Sequence, residues 1–382
     1  MPISLENFVD VKIYTHPTSK RITDRDTYTI LTTESGSDGV YDSMTSKINE
    51  TSSETDEASS EIGGTNNKAY AQMFFQNGGK RIKFVPIIKT DAQSIVDKVK
   101  TLDDNLIYFS VIGANGGIDL ATAKDVAKKL DEAYSNKNKD AVVNDEPVGI
   151  HRKILIARIS DTTGLDDKLI TLHSLAVKYS SDEGAEATIA AYLSKIKVYA
   201  TNSVHDYCYT SENIKVSDVD DSKYTMLDGK NINFDYKIAG SVRNIGGNLT
   251  DGKSLINEFM LIVLQQTVTE RLLALLGTKL KGSTAIARIR STISDELNYY
   301  VKNGYLALDK VWTDEDWDID YNSSTYTIIE SNTPLTSGYL VEILPLASIS
   351  DEDRKAHKCP PIYIVLADSW GIRKVSITGQ VI

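Results

Sequence analysis

Hydrophobic and polar positions along the 382-residue chain fall into three regimes. Near the start, Val9, Val11 and Ile13 alternate with Asp10, Lys12 and Tyr14, the period of a strand, and residues 21–31 (RITDRDTYTIL) predict a second one. From 67 to 160, helical and strand patterns alternate. In 68–76 (KAYAQMFFQ), Tyr70, Met73 and Phe74 share a helical face, and Asn77-Gly78-Gly79 ends the helix. Residues 81–88 predict a strand, which Pro86 puts near an edge or an end. Thr90 and Gln93 form a capping-box signature for a helix carrying Ile95, Val99 and Leu102. Residues 106–112 are almost continuously apolar, as buried strands are. The turn Gly113-Ala-Asn-Gly-Gly117 then leads into an amphipathic helix through Val126, Leu130 and Tyr134, and 153–159 (KILIARI) predicts another buried strand. Helical segments are expected at 166–179 and 185–195, with a β-rich, loop-rich stretch over 196–250. Alternation of this kind predicts helices packed on a sheet.

The pattern changes near residue 252. Residues 254–276 predict a long helix that is apolar almost all round, a core helix or one covered by neighbouring subunits. A basic, acid-free stretch follows, with Lys279, Lys281, Arg288 and Arg290. Ser283 is a candidate cap for a second helix with Ile286, Ile289, Ile293, Leu297 and Tyr300 on one face, ended by Asn303-Gly304. Strands are expected at 305–312, 325–329, 339–344, 362–366 and 373–382, so a helix pair plus antiparallel strands closes the chain in an α+β layout. No internal repeat is visible.

Charge sharpens this picture. The net charge is −11, with 53 acidic against 42 basic residues. Residues 32–66 read as a solvated loop rich in Ser, Thr and acids, with a short helix possible over 41–48. Asp314, Glu315, Asp316, Asp318 and Asp320 form a second acidic segment, and the rest is about neutral. That balance argues against nonspecific nucleic-acid binding, which needs phosphate-neutralising Lys and Arg. It also lets basic patches attract the acidic segments of other copies. Two cysteines, Cys208 and Cys359, build no disulfide framework. The longest apolar run, 259–264, is far short of the ~20 residues of a membrane span. No secretory signal is visible, so the expectation is a soluble protein made in the cytosol.

Candidate chemistry is sparse. The 113–117 turn lies between a strand and a helix, where phosphates bind, but it matches neither G-x-G-x-x-G nor the P-loop with its lysine. His205 with Cys208 and His357 with Cys359 offer zinc-ligand chemistry at spacings that match no zinc motif. Asp316, Asp318 and Asp320 imitate the start of a calcium loop, but Tyr321 replaces its glycine and Thr327 its closing glutamate, so the segment reads as a solvated acidic loop. No nucleophile elbow or metalloprotease motif occurs, although a dispersed Ser/His/Asp triad is compatible with any single sequence. No catalytic, cofactor or metal residue is therefore assigned. The remaining enzymatic alternative is a cytosolic α/β nucleotide-binding protein using the 113–117 turn.

The chain ends carry a different signal. Residues 375–382 (VSITGQVI) alternate apolar with polar, with no proline and no charge after Lys374. Such a strand needs a partner for its backbone: its own domain, or a sheet in another copy. Residues 9–13 present the same two readings.

Three collinear stretches resemble contractile phage tail sheath proteins: YAQMFFQNGGKRIKFVPI (70–87), the helix pair INEFMLIVLQQTVTERLLALLGTKLKGSTAIARIRSTISDELNYYVKNGYL (256–306), and the ending SDEDRKAHKCPPIYIVLADSWGIRKVSITGQVI (350–382). The resemblance implies an N-terminal arm (1–20), an outer α/β domain (21–251) and an inner assembly domain (252–382). It implies a structural, non-enzymatic subunit without cofactors. Such a subunit polymerises helically around a tail tube and contracts to drive that tube through a cell envelope, in a bacteriophage tail that ejects a genome or in a headless device. Expected partners are further copies of the chain, the tube protein, and baseplate and tail terminator proteins. No membrane insertion and no direct nucleic-acid binding are expected, and the location is the virion. Carried onto this chain, the exchanging strands are Val9, Val11 and Ile13 at one end and Val375, Ile377 and Val381 at the other. They join a sheet drawn from 305–312, 339–344 and 362–366. Lys279, Lys281, Arg288 and Arg290 are candidates for electrostatic contact with the tube or a neighbour. Another self-assembling tail component is the closest alternative role.

Overall fold

A computed structural model of the chain describes residues 12–13, 27–34, 39–42, 62–102, 106–134, 142–143, 146–147, 153–196, 207–208, 210, 212–238, 240–275, 282–355 and 359–367. In chain order the elements begin β1 (Lys12–Ile13), β2 (Thr27–Thr32), β3 (Gly39–Asp42), α1 (Thr65–Gln76), β4 (Arg81–Pro86) and α2 (Ala92–Thr101). Next come β5 (Tyr108–Gly113), β6 (Gly116–Gly117), α3 (Leu120–Tyr134), a short hairpin of β7 (Val142–Val143) and β8 (Glu146–Pro147), β9 (Ile154–Ile159) and β10 (Leu175–Tyr179). They continue through α4 (Ala187–Lys195), α5 (Asp221–Gly229), β11 (Asn233–Ile238), β12 (Ser241–Ile245), α6 (Leu255–Leu273) and α7 (Gly282–Lys302). The chain closes with β13 (Lys310–Val311), β14 (Trp317–Tyr321), β15 (Ser324–Ile329), β16 (Pro334–Leu335), β17 (Tyr339–Ile343), α8 (Asp351–Lys355) and β18 (Ile362–Leu366).

The large sheet has the order β12-β11-β10-β9-β5-β2-β4-β3, with β6 folding back on β5. Its six central strands, β11 to β4, are parallel, and β12 and β3 flank them antiparallel. Both faces are covered, which is why β5 and β9 at the centre read as nearly continuous apolar runs rather than alternating ones. In β5, Tyr108 and Ile112 face one layer while Phe109 and Val111 face the other. Residues of α1, α4, α6 and α7 share the first core, and residues of α2, α3 and α5 the second.

Local chemistry explains the element ends. The first N–H groups of α1 are met by a residue from the end of β2: the Glu34 carboxylate accepts from the Asn66 and Asn67 amides at 3.3 and 2.9 Å. At its other end Gly78 takes φ +82°, and the amides of Gly79 and Gly78 return to the carbonyls of Phe74 and Phe75, a Schellman closure. Pro86 ends β4, an interior strand between β2 and β3. The cap of α2 is Asp91, not the expected Thr90: its carboxylate accepts from the Ser94 amide at 3.0 Å, so the helix starts one residue later.

Four expectations are corrected. Residues 166–179 are not a helix. A short 3₁₀ turn (Asp167–Thr171) leads into β10, whose five residues pair along β9 and are all buried. The helix considered over 41–48 is contradicted at its start, where β3 pairs with β4. The acidic segment is not simply a loop: β14 and β15 form a hairpin in which Asp318 and Asp320 accept from Thr327 and Thr325 across the strands, while Ile319 points inward. Of 305–312, only Lys310–Val311 is strand. Helix α5 was not anticipated. It is polar nearly all round and starts at Asp220, which accepts from the Lys223 amide at 2.7 Å.

The helix pair α6 and α7 forms where expected. It does not stand apart from the large sheet: Phe259 of α6 meets Tyr108 of β5 edge to face, with ring centroids 6.2 Å apart, inside one shared core. The other side of the pair backs a small sheet of order β1-β18-β17. In that sheet Val341, Ile343, Ile362 and Ile364 face the helices, and Tyr363 and Val365 face the β14–β15 hairpin. Among the described residues, no helix is long and apolar enough to cross a membrane.

Candidate assembly interface

The small sheet is where the expected exchange would occur. Ile13 lies in β1, which runs parallel to β18 of the same chain, with Ile13 opposite Ile364. Val9, Val11, Val375, Ile377 and Val381, like Lys279 and Lys281, lie outside the described residues. On the opposite side β17 is the last described strand. Its register fixes which backbone groups look outward. The Leu344 amide donates to the Pro361 carbonyl and the Ala367 amide to the Gly338 carbonyl, at 3.1 and 2.9 Å. Residues 338, 340, 342 and 344 therefore turn their backbone groups toward β18, and Tyr339, Val341 and Ile343 turn theirs outward.

Arg288 and Arg290 of the basic stretch both fall on α7, and they differ. Arg288 is exposed. Arg290 donates through Nη1 to the outward carbonyl of Val341, and its Nη2 stands 3.8 Å from the Glu342 carboxylate. Tyr339 fixes the helix along the strand: its hydroxyl donates to Asn298 Oδ1 at 2.9 Å and lies 3.4 Å from the Ser294 carbonyl. Sequence reasoning flagged Arg290 for its charge alone. Its place on the β17 edge depends on a pairing register that local pattern does not encode.

The candidate chemical sites resolve differently. In the 113–117 turn, the Gly117 amide donates to the Glu183 carboxylate at 3.0 Å. A Cβ on Gly116 would lie only 2.4 Å from that carboxylate. The position a phosphate would take at the turn is filled by an anionic side chain that repels one. The start of α3 is likewise satisfied from within, since Asp119 accepts from the Thr122 amide at 2.7 Å. Behind the turn, Arg158 pairs with Glu183 and donates to the Ser180 carbonyl, while the Tyr70 hydroxyl donates to buried Glu186. Burial pushes the Glu186 carboxyl up to about 7, against the pull of Tyr70 and Arg158.

A serine, a histidine and two aspartates do meet at the end of α3. Their wiring is not that of a nucleophilic triad: Ser174 donates to Asp131, whereas His173 Nδ1 pairs with Asp251 at 2.8 Å. The hydrogen bond to Asp251 holds the His173 pKa above its ordinary value. A second polar cluster, missed in the sequence, surrounds fully buried Lys178. Its Nζ donates to Glu212 at 2.7 Å, Asp235 at 2.9 Å and Asn244 at 3.1 Å. Burial lowers the lysine pKa, but the two acids more than restore it. Burial, and then the charge of Glu212, hold Asp235 well above the ordinary carboxylate range. The cluster is sealed from solvent and ties β10, β11 and β12 to Tyr207 and Glu212. Among the described residues no His, Cys, Asp and Glu group is arranged to hold a metal ion. His205 and His357 lie outside the described residues, and Cys208 and Cys359 share no disulfide.

No family model and no curated protein matches the chain in sequence. In fold it is similar to a chain of the anti-feeding prophage baseplate, solved by cryo-EM with six-fold symmetrisation: TM-score 0.58, 12% identity, covering 97% of this chain and 98% of that one. A sheath tail protein from Desulfitobacterium hafniense is also similar, with TM-score 0.48, 6% identity, and coverage of 79% and 91%. With the baseplate chain, this protein shares a fold from end to end.

Proposed function

We propose that this chain is a structural subunit of a contractile tail or injection device, of the sheath type. The observation that carries the reading is the end-to-end match in fold to a baseplate chain of the anti-feeding prophage. The collinear sequence resemblance of 70–87, 256–306 and 350–382 supports the same role independently. In this reading subunits surround a tail tube, and residues 375–381 of one copy add to the small sheet of the next. Each backbone hydrogen bond so formed nets about 0.5–1.5 kcal/mol, and buried Val and Ile add to it. Such links survive while rigid-body packing changes. Contraction then needs no nucleotide, because a metastable packing relaxes into better contacts. The filled 113–117 turn accords with a non-catalytic role. The six-fold setting of the matched chain favours a ring-forming component near a tail end as the narrower variant.

Electron microscopy of the purified protein, alone and with tube protein, tests the reading. Sleeves or stacked rings, with extended and shortened forms, are expected. Monodisperse single subunits at all concentrations would contradict it, and nucleotide binding by calorimetry would point to the alternative.

A further inference from the structure

We infer that Arg290 is a removable guard on the receiving edge of the small sheet, holding β17 closed until the terminal strand of a second copy displaces it. The inference rests on the strand-addition reading above and adds the residue that regulates it. Val341 turns its side chain toward α6 and α7, and Glu342 turns its own to the opposite face. A guanidinium bonded to the Val341 carbonyl and 3.8 Å from Glu342 therefore passes around the strand edge from one face to the other. A neighbouring strand would run ~4.8 Å from β17, through the same space. It cannot pair there while Arg290 stays.

The helix sets the guard in place. Arg290, Ser294 and Asn298 recur every four residues and so lie on one face of α7, with the last two holding Tyr339 of β17. Exposed strand edges invite pairing with other chains, and a charge on the edge is a common defence. Arg290 fits that role unusually well because it also satisfies an outward carbonyl. The occupant is residues 375–381 of a second copy. Their alternation would continue the two faces of the sheet, with Val375, Ile377 and Val381 beside Val341 and Ile343 on the helix side, and Ser376, Thr378 and Gln380 on the other. A strand added along β17 would separate Arg290 from Glu342 on the opposite face, so the displaced guanidinium turns back along the α7 side to solvent. One donor to Val341 replaces another, so no backbone acceptor is lost when the guard leaves.

Full-length Arg290→Met keeps the apolar stem and removes the donor. It is expected to lower the critical concentration for polymerisation, read by sedimentation, roughly tenfold, the factor expected for one charge-assisted hydrogen bond. Arg290→Lys, which keeps a charge without the planar fork, is expected to fall between. Thermal melting of each variant as the lone subunit separates an edge effect from loss of folding. If both variants fold as the wild type and polymerise at its critical concentration, the guard role is overturned. Deletion of residues 377–382 tests the underlying reading separately. Sleeves that persist without those residues would sink strand addition itself, whereas sleeves lost on deletion but unchanged by both Arg290 variants would sink only the guard.

Discussion

The buried ionisable residues give this fold a pH dependence with a definite sign. Glu186 sits where α4 begins, facing Tyr70 of α1, Arg158 of β9 and Glu183 of the preceding loop. Its carboxyl is pushed up to about 7 in the folded chain, against the ordinary glutamate value of 4.5 when unfolded. The folded state therefore binds the proton more tightly, and stability falls as pH rises from the unfolded value through about 7. His173 acts in the same direction. Its raised pKa contributes stability that is complete below the ordinary histidine range and is lost as pH climbs through the folded value. We expect the unfolding free energy measured by urea denaturation to fall between pH 5 and pH 8, by up to about 3 kcal/mol from Glu186. Glu186→Gln, a mimic of the protonated acid, should remove most of that slope. An unchanged slope in this variant would show that Glu186 is not its source.

Among the elements, legibility followed how local the determining chemistry is. Helix α1, with its Asn-Gly-Gly closure, and the buried strands β5, β9 and β18 were readable because each carries its signal in a few adjacent residues. The segment before Tyr179 was misread because its apolar spacing suits a helix, while pairing with β9 and β11 selects a strand. The Asp316–Asp320 alternation reads in the sequence as a solvated loop. Its outward acids obscured Trp317, Ile319 and Tyr321, which alternate with them in β14. Nothing local announced Glu34 as the cap of α1, 32 residues away, or Arg290 as an edge cover, because both depend on tertiary register. The apolar character of α6 was visible, and its docking onto the large sheet gives it a purpose within the subunit. Phe259→Ala should therefore cost about 3–5 kcal/mol in global stability. Chemical denaturation should show one cooperative transition displaced as a whole, and separate unfolding of the helix pair would contradict the shared core.

At the scale of the whole molecule, the large sheet is sealed by helices on both faces, and its polar clusters are spent on internal bonds. The small sheet differs: β17 ends it among the described strands, with one arginine over its edge. The proposed working object is accordingly a many-copy assembly whose subunits finish one another's small sheets. A near-atomic reconstruction of the assembled particle tests this most directly. Residues 375–381 of one subunit are expected to be hydrogen-bonded along Tyr339, Val341 and Ile343 of another, with Arg290 swung away from the Val341 carbonyl and back along α7. An assembly in which both chain ends pair only within their own subunit, and Arg290 still covers Val341, would contradict it.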